Sequence, residues 1–159
     1  MNRQYNPEPP VTQDSEPSRS VARRTGNALS LLDEPRLLST RELEERSLIH
    51  RNDAVREQAD AFRELRTRLL ALGSDRNFVT LVAPISHGCG GSFVARNLAT
   101  AFAFDDTKSA LLIDCDVLHP SQHTALRVSV DNGGLMDYLD DTSQDVARIL
   151  YHCGIPRLR

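Results

Sequence analysis

A chain of 159 residues and 17.7 kDa has room for one domain of ~100–150 residues and a tail. Its net charge of −3, with basic residues interleaved among acidic ones, argues against a general nucleic-acid binder. It has no signal-peptide core and no run of ~18 apolar residues, which predicts a cytoplasmic chain, held at the inner membrane only through a partner.

From Met1 to Asn27, Pro7, Pro9, Pro10 and Pro17 stand among Asn, Gln, Ser, Glu and Arg with almost no large apolar residue. Burial cannot offset the entropy of ordering such a stretch, so residues 1–27 are predicted to be a disordered tail and residues 28–159 the domain. Ala28 to Leu38 holds a short apolar piece. Ser39, with Glu42 three residues on, forms a capping box for a helix through about His50. A second helix from about Asp53 puts Phe62, Leu65, Leu69 and Leu72 on one packing face and stops at Gly73, so residues 39–72 are predicted to be helical. Asp60, Arg63 and Arg66 fall on a partly different face and read, taken alone, as solvated surface with i,i+3 pairing.

Phe78 to Asn97 carries the sharpest pattern in the chain. A β-branched apolar run ends at Pro84, a loop follows with Gly88, Gly90 and Gly91, and a helical pattern begins at Ser92, so residues 78–105 read as strand, loop and helix. Glycines let backbone N–H groups turn toward an anion, and the helix start adds favourable partial charge, so the loop is shaped for phosphate. A P-loop carries Gly-Lys-Ser/Thr where this chain has Gly90, Gly91 and Ser92, so the lysine that reaches the outer phosphates is missing. The only lysine, Lys108, is expected at the opposite edge of a parallel sheet. Cys89 reads as a small loop residue in preference to an activated thiolate, and His87 as an exposed loop residue.

Residues 109–116 read as a second strand, Ser109 to Ile113, ending in Asp114-Cys115-Asp116. Strand, helix and strand with short connections predict a parallel pair, with the acidic residues at the carboxyl edge where the loop also opens. Asp114 and Asp116 read as magnesium ligands or as a strand-ending turn, evenly on geometry alone, and the glycine-rich loop beside them tips the reading toward the metal. Cys115 is expected to be buried beneath the strand end. The three cysteines, Cys89, Cys115 and Cys153, lack C-x-x-C spacing and are expected to be reduced. Gly134 precedes a short helix, Leu135 to Leu139, Asp145 caps another through about His152, and residues 154–159 read as the start of a third strand.

The helix Asp60 to Leu69, the loop Gly88 to Ala99, the strand Leu111 to Pro120 and the piece Gly134 to Leu139 occur in an order that resembles the bacterial protein-tyrosine autokinases of capsule and exopolysaccharide export. These belong to the MinD/ParA-like branch of P-loop ATPases, and the resemblance covers about Leu38 to Arg159. It implies an α/β fold, a P-loop NTPase-like parallel sheet with flanking helices, incomplete at the C-terminus because the family's later magnesium Asp and its tyrosine cluster would lie beyond Arg159. It implies ATP or ADP at Gly88, Cys89, Gly90, Gly91, Ser92 and Phe93, Mg2+ at Ser92, Asp114 and Asp116, a catalytic role for Asp114, and an oligomerisation helix at Asp60, Arg63 and Arg66. The implied partners are a membrane polysaccharide chain-length regulator and further copies of the chain. Because the loop lysine has become Gly91 and the basic residues after the Asp pair have become Leu118 and His119, the expectation is weak nucleotide binding with little or no kinase activity. Two alternatives stand beside it, a non-catalytic partner of the chain-length regulator and a ParA/MinD-like ATPase.

Overall fold

The computed structural model describes residues 36–50, 56–73, 77–86 and 88–159. The expected tail 1–27, most of the apolar piece after it, the start of the second helix and His87 lie outside the described residues.

The first helix, α1, spans Thr40–Glu45 and begins as the sequence predicts. Ser39 Oγ accepts from the Glu42 N–H, and the Glu42 carboxylate accepts from the Ser39 N–H at 2.9 Å. It ends five residues earlier than about His50. Ser47 takes a left-handed φ of 54°, its N–H donates to Glu44 O, and the Leu48 N–H reaches back to Leu43 O. That pair of bonds is a Schellman closure, and Leu43 and Leu48 supply its apolar contact in the core.

The next helix, α2, spans Arg56–Gly73. Its packing stripe is Ala59, Phe62, Arg66 and Leu69; Leu65 and Leu72 are exposed, so the expected face is rotated by about one position. Helix α3 spans Gly91–Ala103 and is the axis of the molecule. Ala99 and Ala103 join Leu43, Leu48, Leu126, Ile155 and Leu158 in one core cluster, while Leu98 and Ala101 join Ile49, Ala59 and Phe62 in a second. Small residues on both flanks let the chain close in from two sides. Two short helices follow, α4 at Gln122–Ala125 and α5 at Leu135–Asp140. Asp145 caps a single 3-10 turn, Val146–Ile149, rather than a helix through His152.

The expected parallel sheet is not formed. Among the described residues the pairing consists of one parallel bridge between Ala110 and Leu158, with Ala110 N–H donating to Arg157 O and Leu112 N–H to Arg159 O. Residues 154–159 thus do supply a pairing segment. The other expected strand, 78–83, takes no regular secondary structure and makes no backbone hydrogen bond among the described residues. Val79 and Leu81 are 97% and 81% exposed. β-Branched composition marks a segment that suits a pleated surface, and it becomes a strand only where a neighbour pairs with it. A P-loop NTPase-like parallel sheet is therefore not present among the described residues. Among the described residues no helix is long and apolar enough to cross a membrane.

Candidate functional site

Helix α3 is closed at one end and open at the other. At its C-terminus the carbonyls of Ala101 and Ala103 are orphaned by helix geometry and take guanidinium donors from elsewhere in the chain, Arg66 at 3.0 Å and Arg157 at 3.0 Å. Arg157 also reaches the Asp106 carboxylate at 2.9 Å. At its N-terminus the cap is Gly90, with φ 89° and no side-chain hydrogen bond, and the first turn contains no acid. Gly88 is likewise left-handed, φ 76°. The first intrahelical bond is Val94 N–H to Gly90 O; the Gly91 N–H faces the Cys89 thiol, and the N–H groups of Ser92 and Phe93 have no acceptor among the described residues. A helix with both negative-end carbonyls answered and its positive end bare favours an anion at that bare end.

The side chains around this end were partly expected. Ser92 is exposed, and its Oγ lies 3.5 Å from Ser121 Oγ. The Ser121 and Gln122 N–H groups both donate to Asp114 Oδ2, at 2.8 and 3.0 Å, and Gln122 Nε2 donates to Ser92 O at 3.2 Å. Loop, α4 and the Asp pair therefore meet at Ser121, a residue with no motif to mark it. Asp114 Oδ1 also accepts from the Asp116 N–H at 3.2 Å, and Asp116 Oδ1 accepts from the His119 N–H at 2.9 Å. Asp114 thus folds residues 114–122 back toward α3, which is the turn-forming alternative. Asp116 is drawn to its own loop and makes no contact with Ser92.

These residues fit magnesium only as a lightly held ion. Among the described residues no group of three or more His, Cys, Asp or Glu side chains could hold a metal. Ser92 Oγ, the remaining Asp114 lone pair and the second Asp116 oxygen are the oxygens left to offer, a set suited to an ion that keeps most of its waters.

Cys89 is exposed in the loop, and its thiol is held below the ordinary cysteine range, chiefly by the Ser86 backbone N–H, with Ile85 and Gly91 N–H groups adding to it. Cys115, expected to be buried, is exposed, because the strand it would sit beneath has no sheet over it. Cys153 is buried, and burial pushes its thiol up.

The α2 charges do separate jobs. Asp60 and Arg63 pair on the surface at 2.6 Å, the expected i,i+3 contact. Arg66 turns inward to α3, so it is a clamp within the chain. Tyr151 also has a role the sequence did not mark: its hydroxyl donates to Gly133 O at 2.7 Å and accepts from the Asn132 N–H at 3.0 Å. Compared with protein-family models, with curated proteins and with solved structures, the chain matches none.

Proposed function

We propose that the chain binds the phosphates of a nucleoside di- or triphosphate at Gly88, Cys89, Gly90, Gly91, Ser92 and Phe93, weakly and without phosphoryl transfer. The observation that carries this is the bare N-terminus of α3 behind two left-handed glycines, with Ser92 and Ser121 hydroxyls beside it. Magnesium would enter with the nucleotide through Ser92 Oγ and the acidic pair Asp114 and Asp116 and neutralise phosphate charge. The missing loop lysine removes a charge-assisted contact of ~1.5–3 kcal/mol, which places affinity in the millimolar range. Phosphoryl transfer depends on charge placed around the transferring group, and Gly91 supplies none. The resemblance of the motifs supports a role in capsule or exopolysaccharide biosynthesis, in the cytoplasm. Calorimetric titration with ATP should give millimolar binding that strengthens with magnesium and loses that dependence in Ser92→Ala. Equal affinity with and without magnesium in the parent chain would sink the reading, as would γ-phosphate label appearing on tyrosine.

A second reading is favoured by a different observation. Val79, Leu81, Ile85 and Leu118 are 97%, 81%, 98% and 80% exposed, a set of large apolar side chains left uncovered by the described residues. It supports a non-catalytic module that docks on a partner, the cytoplasmic part of a polysaccharide chain-length regulator or another copy. Leu81→Asp with Leu118→Asp should then abolish binding to that regulator segment and leave nucleotide affinity unchanged.

A further inference from the structure

The loop lysine is absent, yet a cation stands one turn into α3. Arg96 follows Ser92 by four residues, which puts both on one face of the helix. Long helical side chains lean toward the N-terminus, and Arg96 does so: its guanidinium carbon lies 5.4 Å from the centroid of the Phe93 ring. That ring meets Phe62 edge-on at 6.0 Å and packs on the second core cluster, so the platform under the guanidinium is fixed. The charge is thereby held beside the first turn, where the Ser92 and Phe93 N–H groups have no acceptor among the described residues.

Arg96 differs from the arginines that close the fold. Arg66 and Arg157 give terminal nitrogens to carbonyls at the far end of α3, and Arg63 and Arg68 pair with acids of α2. The Arg96 side chain makes no hydrogen bond and no ion pair among the described residues. Its Nε is enclosed, but Nη1 and Nη2 are open to solvent, and that edge presents the paired donors that take two oxygens of a phosphate. Burial lowers its pKa, and no acid acts to oppose that; an arginine stays charged through such a shift. Stacking on Phe93 uses the face of the guanidinium and leaves its terminal edge unanswered. A second polar group at the same end is also unanswered: Gln122, 7% exposed, gives Nε2 to Ser92 O and has no donor for its Oε1.

We propose that Arg96 is the cation of the phosphate site: one phosphate of a nucleoside diphosphate sits on the Ser92 and Phe93 N–H groups, and the next meets Nη1 and Nη2 of Arg96. This rests on the phosphate reading and narrows it to ligands with at least two linked phosphates. Arg96 restores charge for binding but not the lysine's place in the loop, so phosphoryl transfer stays absent. ADP and AMP are the probes, titrated against the backbone amide and arginine Nε–H signals of the full chain. In the parent, ADP should shift the Ser92 and Phe93 amides and the Arg96 signal along one saturation curve, while the signal of Arg68, paired with Glu64, stays still. AMP should bind about tenfold more weakly than ADP. Arg96→Gln should lower ADP affinity about tenfold, to the level of AMP, and Arg96→Lys should recover part of the loss. The arginine signal of the parent chain keeps the test decisive if a variant does not fold. If ADP shifts the two amides but not the Arg96 signal, if Arg96→Gln binds ADP as the parent does, or if AMP binds as tightly as ADP, the proposal falls and the phosphate reading stands. If ADP leaves both amides unmoved, both fall.

Discussion

Asn97 has no exposed surface, yet it is the residue through which α3 fixes the chain after α1. Its Oδ1 accepts from the Ile49 N–H at 2.7 Å, and its Nδ2 lies 3.0 Å from both Ser47 O and Phe93 O. Asn97→Leu would leave a buried N–H and a buried C=O without partners, so stability should fall by about 2–4 kcal/mol in urea unfolding. A loss below about 0.5 kcal/mol would show that water replaces those bonds. Nothing in the sequence separates Asn97 from an exposed helical asparagine, because its partners lie about fifty residues away in the chain. Glu42 was legible, since the capping box is complete within four residues. The Ser39 backbone N–H first, and its hydroxyl second, hold the Glu42 carboxyl below the usual range. A depressed folded-state pKa gives stability that is present above the ordinary glutamate range and is lost as pH falls through the depressed value. The melting temperature of the parent chain should therefore exceed that of Glu42→Gln at pH 7, with the gap closing between about pH 5 and 3. A gap that does not change with pH would assign the box a role other than charge.

The helices show which features local sequence can carry. Starts were readable where a side chain supplies the cap, as at Ser39 and Asp145. The end of α2 at Gly73 was readable from its glycine, whereas the end of α1 was not, because α1 stops on Ser47 in a conformation normally given to glycine or asparagine. Ser47→Gly should remove that strain and raise stability by roughly 0.5–1 kcal/mol, and Ser47→Val should lower it by about 1–2 kcal/mol. If both variants lose stability equally, the serine hydroxyl and not the backbone angle is what matters. The rotated stripe of α2 has a related cause. Apolar spacing at 62, 65, 69 and 72 fits a helical face, but Arg66 has a stem to pack and a guanidinium to cap α3, so it displaces Leu65 from the contact.

At the scale of the whole molecule, the glycine loop, the helix behind it and the acidic turn were legible, and the sheet expected to connect them is absent among the described residues. Pairing is a non-local event, and composition at 78–83 records only suitability for it. The consequence is surface. Val79 and Ile85 are 97% and 98% exposed, so Val79→Thr with Ile85→Thr should change unfolding free energy by less than about 0.5 kcal/mol while lowering binding of a hydrophobic dye. A loss of about 1.5–3 kcal/mol per residue would mean that both side chains are buried in solution.

The central claim is that the N-terminus of α3 is an open anion site. Amide chemical shifts of the whole chain, followed as ADP is added, test it most directly. The account predicts saturable shifts at Gly90, Gly91, Ser92 and Phe93, with Ser121 following through its contact with Ser92. Shifts confined to other regions, or none at these amides at tens of millimolar ADP, would contradict it.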